Sequence, residues 1–259
     1  MARRRLDGPP VRAEDGIAWL ASVLVDRVID KWDAVLMWTG EERSSKSTGI
    51  MRTIQAVEAR LAAIGRPVPF EFANLCYRAR PLNDAYRQAV HSRQAARQFW
   101  YDEGGRGMLA GETFDPEQSV IIRLLQQAGV ANSILYIAIP DPWTLAKKVR
   151  GRRAVYWVDT VSRGTDRKPA PSRAEVFERD RRRHFRRTDD LGFSKSRRCP
   201  ELTYLPYPPD DPFWVRYEAH KFANLDDVFD ENDRILDKAA ARLVGQTGRE
   251  RSRGAKAGR

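Results

Sequence analysis

Short apolar stretches alternate with helix-periodic ones through the middle of this chain, and that alternation limits the fold more than any other feature. "DAVLMWT" (33–39), "VPFEFANLCY" (68–77), "RQFWYDE" (97–103), "SILYIAIP" (133–140) and "RRAVYWVDTVS" (152–162) read as strands. Between them, "STGIMRTIQAVEARLAAIG", "NDAYRQAVHSR", "PEQSVIIRLLQQAG" and "PWTLAKKVRG" read as helices. The third opens on a proline and closes on a glycine, as helices do. Such alternation predicts an α/β fold: a mostly parallel five-stranded sheet with helices on both faces. Ligands in sheets of this kind sit beyond the carboxyl ends of the strands.

The first strand ends in "TGEERSSKSTGIM". A strand, a turn, Lys-Ser-Thr and a helix form the outline of a phosphate-binding loop, G-x-x-x-x-G-K-[ST]. In that motif, backbone N–H groups curl around phosphate oxygens and the helix N-terminus adds its dipole. Gly40 takes the first glycine position, and Ser44, Ser45, Lys46, Ser47 and Thr48 complete the candidate nucleotide-binding set. Lys46 is the cation for the β- and γ-phosphates, and the Ser47 hydroxyl is a candidate Mg²⁺ ligand. Ser45 stands where the second glycine belongs, and a side chain there crowds the approach of backbone to phosphate. Glu41 and Glu42 add repulsion toward a polyanion.

The third strand ends in "QFWYDEGG". Four mostly apolar residues followed by Asp102-Glu103 match a Walker B strand. Asp102 is expected to hold Mg²⁺ through water, and Glu103 to act as general base toward the attacking water. The order of the two motifs, with one strand between them, fits phosphate-loop ATPases that carry an additional strand and a catalytic glutamate. No Asn-Lys-x-Asp guanine motif is present. ATP with Mg²⁺ is therefore the expected ligand.

The chain resembles the P-loop ATPases of bacteriophages and mobile elements, the group that includes zonular-occludens-toxin-like and DNA-packaging or translocating ATPases. "TGEERSSKST", "QFWYDEGGRG", "NSILYIAIPDPWTLAKKVRGRRAVYWVDTVSRG" and "PFWVRYEAHK" carry the resemblance, over residues 30 to 225. It implies an arginine that senses the γ-phosphate near the fourth and fifth strands, often across a subunit interface. Arg150 and Arg153 are the candidates it places best, with Arg152 between them; Asn132 and Asp141 are weaker polar candidates. It also implies a homo-oligomer acting on DNA.

Composition sets the remaining bounds. With 259 residues, 42% hydrophobic and 31% charged, the chain can bury a sizeable core as a globular protein. A net charge of +11 favours a nucleic-acid partner, DNA before RNA given the resemblance, through "ERDRRRHFRR", "SKSRR" and the basic tail. Cys76 and Cys199 lie far apart and three histidines make a zinc centre improbable. The apolar run 16–25 is too short to span a bilayer, and reads as an amphipathic helix of a cytoplasmic protein. Four regions are expected: an N-terminal helix (1–30), the P-loop core (31–165), a basic, proline- and aromatic-rich extension with a final helix (166–245), and a disordered basic tail (246–259). An ATPase driving DNA movement, packaging or virion assembly is the leading expectation. A P-loop kinase of a small phosphate acceptor and a nucleotide-binding protein without turnover remain alternatives.

Overall fold

The computed structural model describes residues 11–41, 44–102, 116–144, 153–162, 170–179 and 192–224. Five strands, β1 (Ala34–Thr39), β2 (Leu75–Cys76), β3 (Gln98–Tyr101), β4 (Ile134–Ala138) and β5 (Tyr156–Ser162), run parallel in the order β2-β3-β4-β1-β5. Every residue of β1 is buried, as a central parallel strand covered on both faces requires. This is the sheet the strand–helix alternation predicts.

The helices divide between the faces. After β1, α2 (Lys46–Ala63) carries the chain toward the far edge, and α3 (Ala79–Ser92) and α4 (Pro116–Gln127) bring it back. Right-handed crossovers running in opposite directions place α2 on one face and α3 with α4 on the other. Val35, Met37, Phe99, Tyr101, Leu135 and Ile137 form one core with Leu82, Tyr86, Ile121 and Leu125. The alternate positions turn toward α2: the Gln98 side-chain amide donates to the Ile54 carbonyl, and the Tyr136 hydroxyl donates to Gln98. Helix α2 buries Ile50, Ile54, Val57 and Leu61 at helical spacing and ends in a Schellman motif. There Gly65, at φ +73°, donates to Ala62 while Arg66 donates to Leu61. Helix α1 (Gly16–Ile29) packs beside α2 and against the sheet, where the Trp19 ring meets Tyr156 edge-on.

Three differences from the sequence expectation stand out. The second strand is only two residues long, because Pro67 and Pro69 have no N–H for a ladder and the strand lies at the sheet edge. The helix expected over 142–151 begins as a 3-10 turn at Pro142–Thr144, and residues 145–152 lie outside the described ones. Most consequential, the sheet has eight strands. The region expected as a basic extension supplies β6 (Ser172–Arg179), β7 (Phe193–Lys195) and β8 (Glu201–Tyr204). Strand β6 pairs antiparallel with β5, and β7 and β8 both pair with β6. Charged residues alternate with apolar ones along β6, so its buried side is only Ser172, Ala174 and Val176; so thin a stripe is hard to see in a sequence.

Beyond β8, residues 205–207 run along α2. Arg52 donates to the carbonyls of Leu205 and Pro206 and lies over the Tyr207 ring, 3.8 Å from its centroid. A second compact unit starts at Pro208. It contains a helix over 212–224, whose start is capped by the Asp211 carboxylate accepting from Phe213 and Trp214. No helix among the described residues is long and apolar enough to cross a membrane.

Helix α2 reaches the sheet so closely because residue 49 is glycine. A Cβ there would overlap the Trp38 indole and stand 2.9 Å from the Tyr204 ring. Alanine favours a helix over glycine by about 1 kcal/mol, yet Gly49→Ala is expected to destabilise the protein by about 2 kcal/mol through overpacking. Urea unfolding of the two proteins measures the difference.

Candidate functional site

The chain reverses direction across the sheet at β1, which leaves a crevice above the carboxyl ends of β1 and β4. The loops that border it touch: the Gly40 amide donates to the Pro140 carbonyl at 3.2 Å. Asp141 follows Pro140 and accepts from the Trp143 amide. The end of β1 is pinned from the side as well. Thr39 donates to the Asp159 carboxylate at 2.5 Å, and the Trp157 indole donates to Thr39 at 2.7 Å.

The loop from Gly40 to Ser45 then turns the chain from strand into helix. Gly40 has φ +136°, and a Cβ on it would lie 2.7 Å from the Ser44 hydroxyl and 2.8 Å from the Thr160 carbonyl. Only glycine meets both conditions. Ser45 is the helix N-cap and has φ +69° and ψ +24°, the left-handed conformation. This accounts for the glycine expected at that position: the turn demands a conformation that costs an L-residue roughly 1–2 kcal/mol. The serine adopts it regardless.

What this path presents suits an anion. The first bond of α2 runs from the Gly49 amide to the Ser45 carbonyl, and the Ser45 side chain makes no capping hydrogen bond. The amides ahead of Gly49 and the positive end of the helix dipole are thus directed into the loop. The Ser44 hydroxyl is buried with no partner among the described residues. Lys46 bends over the loop, its ammonium donating to the carbonyls of Gly40 and Glu41 at 2.7 Å each. An ammonium held by two neutral carbonyls can exchange them for phosphate oxygens, which attract it more strongly. Ser47 and Thr48 occupy the first turn of α2, with Thr48 buried. Glu42 and Arg43 lie outside the described residues.

Asp102 follows β3 directly and is buried at 4% exposure. Register fixes its place. Tyr101 is level with Ile137, so Asp102 is level with Ala138, and Ala138 is level with Trp38. Side chains level with one another across parallel strands share a face, and Trp38 faces α2. Asp102 therefore emerges on the face where α2 starts, two strand spacings (about 10 Å) from β1. The carboxylate expected to serve a metal and the Lys46-Ser47 turn thus share one face of the sheet. Glu103 lies outside the described residues, as do Arg150 and Arg152.

Arg153 does not stand beside the loop of its own chain. It precedes β5, and it forms an ion pair with Asp33, which precedes β1. Both stand at the amino ends of the strands, roughly 20 Å from a loop at the carboxyl ends. There Arg153 ties two strand starts together; it cannot reach phosphates held by its own loop. The basic "VRGRRAV" motif gives no sign of this, because Asp33 is distant in sequence. Asn132, at φ +45°, lies at the same end, before β4.

The structure also brings in residues that sequence reasoning missed. Thr160 of β5 accepts from the Trp38 indole at 3.0 Å, and Tyr204 of β8 lies within hydrogen-bond distance of both Thr160 and the Ser45 carbonyl. No spacing in the sequence marks these four residues as neighbours. For Arg153→Met, which strips Asp33 of its partner, a loss of about 2 kcal/mol of stability is expected. Affinity for ATP should stay at the wild-type value in titration calorimetry, which separates a structural arginine from one that serves the loop.

No family model matches the chain, and no curated protein matches it. Among solved structures it is similar to the N-terminal domain of zonular occludens toxin from Neisseria meningitidis, at 11% identity and a TM-score of 0.44, over 68% of this chain and 95% of that one. It is also similar to the genome packaging NTPase B204 from Sulfolobus turreted icosahedral virus 2 in complex with ATP-gammaS, at 17% identity and a TM-score of 0.37, over 51% and 75% of the two chains. A third similar structure is a chain of the E. coli MS115-1 HORMA:CdnC:Trip13 complex, at 12% identity and a TM-score of 0.45, over 61% and 65%. Strand order, the strand–loop–helix turn at Gly40–Lys46 and the Asp102 strand end together give this chain the fold of a P-loop NTPase.

Proposed function

We propose that the chain is a cytoplasmic, Mg²⁺-dependent ATPase whose hydrolysis drives movement or packaging of DNA, or virion assembly, as a homo-oligomer of a phage or mobile element. The observation that carries the nucleotide part is the left-handed Ser45. A serine held in a conformation that favours glycine, at the turn from a buried strand into the helix that begins with Lys46, supports a phosphate loop, since it stands where that motif has its second glycine. The net charge of +11 supports the nucleic-acid part.

In this reading, the Lys46, Ser47 and Thr48 amides and the Lys46 ammonium bind the phosphates, with Gly40 and Ser44 shaping the loop. Ser47 and Asp102 would hold Mg²⁺, which when bound neutralises charge between the β- and γ-phosphates. Glu103, next to Asp102, accepts the proton of the attacking water. Arg150 stays a candidate for stabilising the transferring phosphoryl group, from this chain or a neighbouring copy.

Two variants and one chelation test the proposal. Lys46→Ala should abolish both ATP binding and phosphate release. Glu103→Gln should still bind ATP but lose turnover by a factor of about 100 or more, and EDTA should silence the wild type. DNA should bind more weakly as salt rises, with a slope set by the phosphates contacted. ATP bound but never hydrolysed, with or without DNA, would establish the protein as a nucleotide-binding component without turnover. Phosphate transferred to a nucleoside or sugar would establish a kinase.

A further inference from the structure

The left-handed Ser45 needs something to hold it, and three residues around it do so in a definite order. The Trp38 indole can only donate, and the Ser45 carbonyl can only accept. Trp38 donates to the Thr160 hydroxyl at 3.0 Å. Tyr204 donates to the Ser45 carbonyl at 3.4 Å. The Thr160 and Tyr204 hydroxyls are 3.3 Å apart, so the proton between them belongs to Thr160. The relay then runs Trp38 to Thr160 to Tyr204 to Ser45, with each hydroxyl giving and receiving one bond.

All three side chains of the relay are buried: Trp38 at 0%, Thr160 at 6% and Tyr204 at 5% exposure. Burial raises the Tyr204 hydroxyl to about 12, so it keeps its proton and remains a donor at any working pH. The ring is fixed too, edge-on to Trp38 with centroids 6.1 Å apart.

Tyr204 acts on the loop through one peptide. All described peptide bonds are trans, and across a trans peptide the C=O and N–H point opposite ways. A bond drawing the Ser45 carbonyl toward Tyr204 turns the Lys46 amide toward the loop. We infer that Tyr204 is a positioning residue for the phosphate loop, in which the hydroxyl of β8 supplies the restraint that lets serine do the work of the missing glycine. This deepens the ATP-binding proposal and rests on it. It also gives the antiparallel strands a purpose, since β8 couples the geometry of the loop to a segment outside the parallel sheet.

Tyr204→Phe removes the hydroxyl and leaves the ring in place. Titration calorimetry with MgATP should show affinity falling about three- to ten-fold, the range of one hydrogen bond. In a Ser45→Gly background the same change should cost less than about two-fold, since glycine takes the left-handed conformation unaided. An equal loss in both backgrounds, or none in either, overturns the inference. Amide hydrogen exchange on the ligand-free protein decides the matter independently of nucleotide. With Tyr204→Phe the Gly49 amide, whose acceptor is the Ser45 carbonyl, should exchange at least about three-fold faster while α3 keeps its rate. An unchanged Gly49 rate overturns the inference. A wild type that binds no nucleotide but shows the Gly49 effect leaves Tyr204 as the support of the turn and refutes the ATP reading alone. If Tyr204→Phe does not fold, Tyr204→Met removes the same donor from the Ser45 carbonyl and is held to the same outcomes.

Discussion

One backbone turn sets the terms for everything around it. Between Gly40 and Lys46 the chain leaves a fully buried strand and enters a helix, and two residues on the way have positive φ. Gly40 does so at little cost, having no Cβ to collide with Thr160. Ser45 does so against its own preference. A strained residue persists only where its surroundings over-determine it. Here they do: Thr39 is tied to Asp159, Gly40 to Pro140, and the Ser45 carbonyl to both Gly49 and Tyr204.

The close packing of α2 belongs to the same design. Gly49 lets the helix settle onto Trp38, which puts the indole within reach of Thr160 and the Tyr204 ring against both. From the far side, Arg52 and Gln55 bind the segment that follows β8, through the Leu205 and Pro206 carbonyls and the Tyr207 hydroxyl. Strand β8 is thus fastened before and after Tyr204, once by the β6 ladder and once by α2.

Much of this is legible in the sequence, for identifiable reasons. Strands β1 to β4 are buried along their whole length, so they appear as apolar runs, and the helices between them carry a 3.6-residue stripe. The Gly40–Lys46 loop and the Asp102 strand end are local motifs, and each follows the carboxyl end of a parallel strand. Strands β6 to β8 are hidden because they are half-exposed and rich in charge; Glu175 pairs with Lys195 and Glu201 with Arg173 across the ladders, which makes the stretch look like a solvated basic segment. Arg153 is misread from its motif because a motif next to a strand does not say at which end of the sheet its side chain will find a partner.

By itself, the sequence determined the alternation of elements, the parallel sheet and the chemical inventory of the loop: Gly40, Ser44, Ser45, Lys46, Ser47 and, further on, Asp102. These depend on contacts within a few residues or on simple periodicity, and such information is local. Only the tertiary structure decided that Asp102 shares a face with the start of α2, that Arg153 belongs to Asp33, and that a tyrosine from an antiparallel strand holds the serine in a glycine's conformation. Each of those facts depends on strand register between segments remote in sequence. Register is set by the packing of the whole sheet, which no short stretch of residues contains.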